Sequence, residues 1–382
     1  MKAATLGRSL VGTGFRRWRA LRLRTRAALM VAALALLAGA WLTFGRADPW
    51  PPRATLKTPR DTWPLGFAPD GRKFFTSGEA GVTSWDARTG RQGETWAIKT
   101  GWNAIQGAFS PDGRVYALAL FAHPRPNQIV LIDTATGRAG ATLETEHPAT
   151  YHFGFDPDGR TLRAAVGDSN FLKEVITWDV ATGRRTATRA ITAPTSGCDR
   201  TVSPDGRTLA YIPFNSSAAQ LWDLETDRSL GGLLNPTWIG VVGRGAGFSQ
   251  DGRTLAVGRR DGAIDLWDVP GRRLLRTLPA HSSGYASTHV QFSTDGRSLA
   301  SSGWYNGPSS PIGQLRDGLM STLGGSRQGE DRGTEMVVID LATARRTPRL
   351  ATAIYPVFSP DGRTVATRER DFSVKLRDLP GP

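Results

Sequence analysis

Seven glycines, Gly71, Gly113, Gly159, Gly206, Gly252, Gly296 and Gly362, close the same short turn at intervals of 42, 46, 47, 46, 44 and 66 residues. A period of that size means one small supersecondary unit used again and again, each copy too thin to bury an apolar face alone. The unit is plainest at Phe248-Ser249-Gln250-Asp251-Gly252-Arg253, which runs into Thr254-Leu255-Ala256-Val257-Gly258. Most other copies have proline where Gln250 stands. Proline pre-sets φ at the second turn position, aspartate suits the third, and glycine supplies the left-handed residue. That is a type I turn with a glycine bulge, a three-residue hairpin loop. Asp261-Gly262 then turns the chain into a third strand, Ala263 to Trp267, so each copy reads as an antiparallel meander.

Two further marks hold the register. Phe67, Phe109, Phe155, Phe248, Phe292 and Phe358 stand five residues before the turn arginine, with Val202 in the seventh copy. The third strands end at Trp85-Asp86, Ile132-Asp133, Trp178-Asp179, Trp222-Asp223, Trp267-Asp268, Ile339-Asp340 and Arg377-Asp378. This Phe-Ser-Pro-Asp-Gly-Arg turn with a Trp-Asp dipeptide resembles the WD40 repeat. Seven copies over residues 54 to 382 imply an all-β, seven-bladed β-propeller, whose radial packing leaves only short sheet edges.

The last copy ends four residues after Asp378, at Pro382, without room for an outer strand. Ala54 to Lys57 is expected to supply it and close the ring. Copy six departs from the pattern, with 44 residues from Gly296 to Asp340 against 15 to 20 elsewhere. The excess, residues 304 to 333, is rich in Gly, Ser, Pro and charge and holds a helical-looking piece from Gln314 to Leu323. By the resemblance, loops between second and third strands project on the face propellers use for binding. Trp304, Tyr305, Leu315 and Met320 are therefore the candidate partner-binding residues, against the plainer reading of an unselected insertion.

The N-terminus has a different composition. Residues 1 to 26 hold eight basic side chains and no acid, and the remainder carries 40 basic against 34 acidic residues. Much of the formal charge of +14 is thus a tail feature. Ala27 to Phe44 is eighteen residues without a charge, enough as a helix to span about 27 Å. The arginines before it predict a single-pass signal anchor, with residues 1 to 26 cytoplasmic and the propeller outside. The alternative is a secreted protein cleaved after Ala38-Gly39-Ala40. Residues 45 to 53, with Pro49, Pro51 and Pro52, are expected to be a stiff linker.

Reactive constellations are scarce. The resemblance implies a hydrogen-bonded set of His, Ser or Thr, Asp and Trp in each blade, and here it is broken throughout. His281 matches the histidine but its blade ends in Ile339; Asp261 and Trp267 match the other end without the histidine; Asp371 sits beside Arg377 in place of Trp. Phe and Trp packing is expected to hold the blades instead. His123, His147, His152, His281 and His289 lack metal-type spacing. Asp156-Pro157-Asp158-Gly159 lacks the later acidic ligand of a calcium loop. The seven turn arginines ring one face singly, which argues against a nucleic-acid stripe. A lone cysteine, Cys198, forms no internal disulfide. No catalytic residue, metal or cofactor is expected. The expected role is a non-enzymatic, membrane-tethered scaffold that binds protein partners through the loop face or rim. The alternative is an enzyme or small-ligand sensor with a site in the central channel.

Overall fold

The computed structural model describes residues 48, 50–98, 106–120, 127–168, 171–195, 198–213, 218–234, 242–281, 285–305, 334–350, 353–369 and 371–379. The apolar stretch from Ala27 to Phe44 lies outside them. Among the described residues no helix is long and apolar enough to cross a membrane.

From Trp50 onward the chain folds into seven antiparallel sheets, six of four strands and one of three. The first strands touch one another in sequence. Trp63–Phe67 contacts Gln106–Phe109, and the contacts continue blade by blade until Ile354–Phe358 returns to Trp63–Phe67. Seven first strands in a closed ring make a seven-bladed propeller with those strands innermost.

The core is divided the same way. Seven apolar clusters fill the seven gaps between adjacent blades. Between blades 1 and 2, for instance, Phe75, Val82 and Trp96 pack on Tyr116, Leu118 and Ile132. The strand pattern explains this. Middle strands such as Val115–Leu120 and Gln128–Asp133 are buried along nearly their whole length, because both faces of each sheet are covered. Outer strands such as Arg185–Ala190 are fully exposed.

Closure follows the expected route. Ala54–Leu56 pairs antiparallel with Val374–Asp378, with Ala54 opposite Leu376 and Leu56 opposite Val374. The join begins earlier than the expected linker allows, since Trp50 is 6% exposed and packs between blades 6 and 7 on Met336, Val338 and Phe358. Its indole N–H donates to the Asp378 carbonyl at 2.9 Å, and its own carbonyl accepts from Arg377 Nε at 2.9 Å. Trp50, expected within the linker, is thus part of the propeller.

Arg377 stands where other blades carry tryptophan, and it does the same work. In blade 1 the Trp85 indole donates to Thr76 Oγ1 at 2.8 Å. In blade 7 Arg377 Nη1 donates to the equivalent Thr367 Oγ1 at 2.7 Å and also to Glu369 Oε1 at 2.8 Å. Both charges are buried, at 1% and 5% exposure. Blade 6 is the three-stranded sheet. Its fourth position is filled by residues 346–350, joined through isolated bridges Ile339↔Arg346 and Met336↔Leu350. Pro348 has no N–H for a ladder, and Val338 N donates instead to the Thr347 hydroxyl at 3.0 Å.

Removing the Trp50 ring by Trp50→Ala should destabilise the propeller by about 3–5 kcal/mol, read from urea midpoints at constant slope. Arg377→Leu removes the guanidinium from the buried Glu369 carboxylate and should lose about 3–5 kcal/mol. The double variant Arg377→Leu, Glu369→Leu should recover much of that loss; equal loss in both variants would rule out the ion-pair account.

Candidate functional site

Consecutive antiparallel strands alternate direction, so each blade presents its ends to two opposite faces. One face holds the starts of first strands and the connections between second and third. The other holds the two tight turns of every repeat. Side chains of unusual character gather on the first face where blades 6, 7 and 1 meet.

Six of them form a continuous stack. His289, on the first strand of blade 6, lies edge-on to Tyr355 with ring centroids 6.3 Å apart. Tyr355, near the start of the first strand of blade 7, meets Trp63 edge-on at 5.4 Å. The Arg368 guanidinium lies over Trp63 at 4.3 Å and over Phe372 at 5.0 Å, so it is held between two rings. Arg60 reaches the same Phe372 at 5.8 Å. Alternating ring and cation is favourable because each guanidinium meets the negative face of a ring. Two backbone carbonyls anchor the centre: Arg368 Nε donates to Thr62 O and Nη2 to Arg60 O, each at 2.9 Å.

The backbone marks the site as well. Tyr355 and Phe372 have φ of 52° and 67°, in the left-handed region that bulky residues enter only under constraint. Phe372 occupies the turn position that Gly262 fills in blade 5, where φ is 85°. Each such residue carries roughly 1–3 kcal/mol of strain, which persists where the surroundings over-determine it, commonly at functional sites. Tyr355 is also 44% exposed. Burial lowers the His289 pKa from its ordinary value, so the imidazole is neutral at pH 7. Burial likewise pulls Arg368 below its usual range, opposed by Tyr355 and Asp61.

The four residues singled out from sequence fare differently. Trp304 and Tyr305 end the second strand of blade 6, Ser298–Tyr305, with backbone partners Ala286 and Tyr285. The strand pairing thus extends to Tyr305, at the same face. Leu315 and Met320 lie outside the described residues. Sequence reasoning passed over Trp63, Tyr355, Arg368 and Phe372. The signal was Phe372 after Asp371, an aromatic residue where another copy has glycine.

The histidine of the implied set is built in one blade. His281 is buried, with Nε2 2.8 Å from Ser301 Oγ and Nδ1 3.2 Å from Glu335 Oε1. Arg349 Nε stands 3.3 Å from that same carboxylate oxygen. The carboxylate comes from the third strand and not from the expected turn aspartate. Ser–His–Glu connectivity is that of a nucleophilic triad, but Ser301 is 0% exposed, so no substrate reaches its hydroxyl. The arrangement pins three strands together. His147 lies 3.3 Å from Glu174, and His152 belongs to the first strand of blade 3. Among the described residues no group of acids, cysteines and histidines is placed to hold a metal. A cleft lined by His152, Asp156, Arg163, Val202, Asp205 and Leu224 has a volume of about 20 Å³, room for a water and not for a substrate.

The opposite face is governed by its aspartates. In the first turn of five blades the Ser hydroxyl donates to Asp, as Ser110 Oγ does to Asp112 Oδ1 at 2.6 Å, and accepts the N–H five residues on. The aspartate of five Trp-Asp or Ile-Asp pairs caps the next turn, while Asp268 meets the Arg273 side chain instead. Asp86, Asp133, Asp179 and Asp340 each accept from the N–H and hydroxyl of the threonine three residues later. These bonds lower their pKa values. The residues used to recognise the repeat are the residues that shape its turns.

The family model for the WD domain, G-beta repeat matches residues 272–306. That stretch runs from the outer strand of blade 5 through the second strand of blade 6 and contains both His281 and Ser301. Together with the seven blades, the match supports the WD40 propeller family. Comparison with curated proteins returns no match.

Stability should fall in two stages as the solution is acidified. His152, pulled to about 4 by burial, and His289 stay neutral in the fold, while the unfolded chain takes up protons below about 6.5. Stability is therefore lost from about pH 6.5 downward. The turn aspartates contribute stability above their unfolded value of about 3.9 and lose it below. Urea midpoints against pH should show both stages, and His152→Phe should shrink the first only. A flat midpoint from pH 7 to 4.5 would contradict the neutral-histidine assignment.

Proposed function

We propose that this chain is a non-enzymatic WD40-type propeller that binds protein partners through the face carrying the Tyr355 stack. The observation that carries the reading is the stack itself: an exposed tyrosine and arginine set against half-buried tryptophan and phenylalanine rings, the residue types that dominate binding hot spots. Its two strained aromatic positions, Tyr355 on the innermost strand and Phe372 in a turn that blade 5 makes with glycine, both belong to blade 7. WD40 propellers are generally interaction scaffolds, and the family match points the same way.

The N-terminal sequence supports a membrane tether. An uncharged run from Ala27 to Phe44 follows an arginine-rich tail, and the propeller takes up the chain at Trp50 on the turn face. In this reading the propeller stands outside the cytoplasm. The second-to-third strand insertion of blade 6 leaves from Tyr305, on the stack's own face, and contributes to partner contact.

Affinity capture of the full-length chain from membrane extract should retain a specific partner. A Tyr355→Ser, Arg60→Glu variant should lose it while keeping its melting temperature within a few degrees. Tight binding of a metal or small molecule, with no protein partner lost in the variant, would count against the scaffold reading. In fractionation, the chain should pellet with membranes and resist carbonate extraction, with the propeller accessible to protease added outside intact cells or spheroplasts. A soluble, N-terminally shortened product would favour cleavage instead.

A further inference from the structure

The stack has a polarity that narrows what can sit on it. At one end Tyr355 is exposed and flanked edge-on by the neutral ring of His289 and by Trp63, an uncharged aromatic shelf. At the other end Arg60 is exposed, its guanidinium resting on Phe372. Arg60 has no acidic side chain within ion-pair distance among the described residues. Arg368 spends Nε and Nη2 on backbone carbonyls and remains a buried positive charge behind the rings. The two nearby carboxylates do not neutralise this pair. Asp371 turns back to accept the Ser373 N–H and hydroxyl at 3.0 and 2.6 Å, and Asp61 acts on Arg368 only at longer range.

Building on the interaction reading, we propose that the stack from Tyr355 to Arg60 is the docking surface for an extended acidic peptide segment of a partner protein. That segment lays a proline or aromatic ring on Tyr355 and sets a carboxylate against the Arg60 guanidinium. The ring matches the uncharged shelf. Proline and aromatic rings bury area there with little conformational entropy to lose. The carboxylate matches a planar guanidinium already oriented by stacking, which leaves its edge donors free for a bidentate contact. A cationic partner is disfavoured by Arg368 and Arg60 together, since like charges brought close repel. The left-handed backbone of Tyr355 fits the same purpose, because it holds the ring out at the ring of first strands where a side chain in the usual conformation would follow the sheet.

The test is selection of a random dodecapeptide phage library on full-length chain immobilised through its C-terminus. Synthetic peptides from the enriched set are then titrated against variants. Enriched peptides should pair Asp or Glu with a nearby proline or aromatic residue. Arg60→Glu and Tyr355→Gly should each weaken them by roughly tenfold or more, as loss of an interface anchor does. Tyr355→Gly is chosen because glycine accepts φ of 52° without strain, so the fold is retained when the ring is lost. Arg160→Glu, on the turn face, should change binding less than twofold. A basic or charge-indifferent consensus, or no enrichment, would overturn the proposal. Peptides that bind both stack variants unchanged would overturn this site too, while leaving the broader protein-binding role to the affinity capture.

Discussion

The structure depends on contact between neighbouring sheets. A four-stranded blade has two apolar faces and no thickness, so each of its faces is buried only by the next blade. The seven apolar clusters sit one to a gap, and a missing blade would expose two of them. Stability therefore belongs to the ring, and the gap where the chain's two ends meet governs the rest. That gap is fastened by unlike devices: the Ala54–Leu56 ladder, the Trp50 ring wedged beside blade 6, and a buried arginine that donates to Trp50, Thr367 and Glu369 together. Apolar packing gives no register. Directed bonds from Arg377 give one, which is what a join between distant parts of a chain needs.

The repeat tolerates large sequence change because its shape is held in two separable ways. Apolar side chains of suitable volume fill the gaps, and tyrosine, tryptophan, isoleucine and arginine all serve at related positions. The turns are held by local polar bonds in which one aspartate accepts two or three donors. Ala68 and Asp156 replace serine in two blades, and the hairpin survives because the glycine and its carbonyl partner remain, as in the 2.8 Å bonds Gly71 N to Ala68 O and Gly159 N to Asp156 O. Local turn chemistry and interblade packing agree on the same geometry, so neither needs to be ideal in every copy.

The blade count, the strand order and the closing strand were legible because they rest on spacing and turn chemistry, which are properties of short stretches. What escaped were juxtapositions. Trp50 looked like linker because three prolines surround it, and nothing local says that its ring fits between residues more than 280 positions away. Glu335 could not be paired with His281 across the long insertion of blade 6. The stack was hidden for the same reason: Trp63, Tyr355 and Arg368 belong to opposite ends of the chain and meet only because the ring closes. Only Phe372 announced itself, as an aromatic residue in a turn that another copy makes with glycine.

The two faces have divided their labour on physical grounds. On the turn face the polar groups are committed to the turns themselves, and the aspartates that might attract a ligand are already occupied by backbone and hydroxyl donors. Glycines hold the left-handed positions of all seven first turns there, and the third-to-fourth turns use glycine in blades 1 to 3 and Asp227, Arg272 and Ala344 in blades 4 to 6. On the other face blade 7 presents two aromatic residues in left-handed conformations, and a cation between rings takes the place of a buried apolar contact. Neither feature is required to build a blade, since blades 2 to 5 manage without them. Strain tolerated where folding does not ask for it points to a demand from outside the fold, and on this face it falls in blade 7, where the closing ladder and the bonds of Arg377 hold the surroundings fixed.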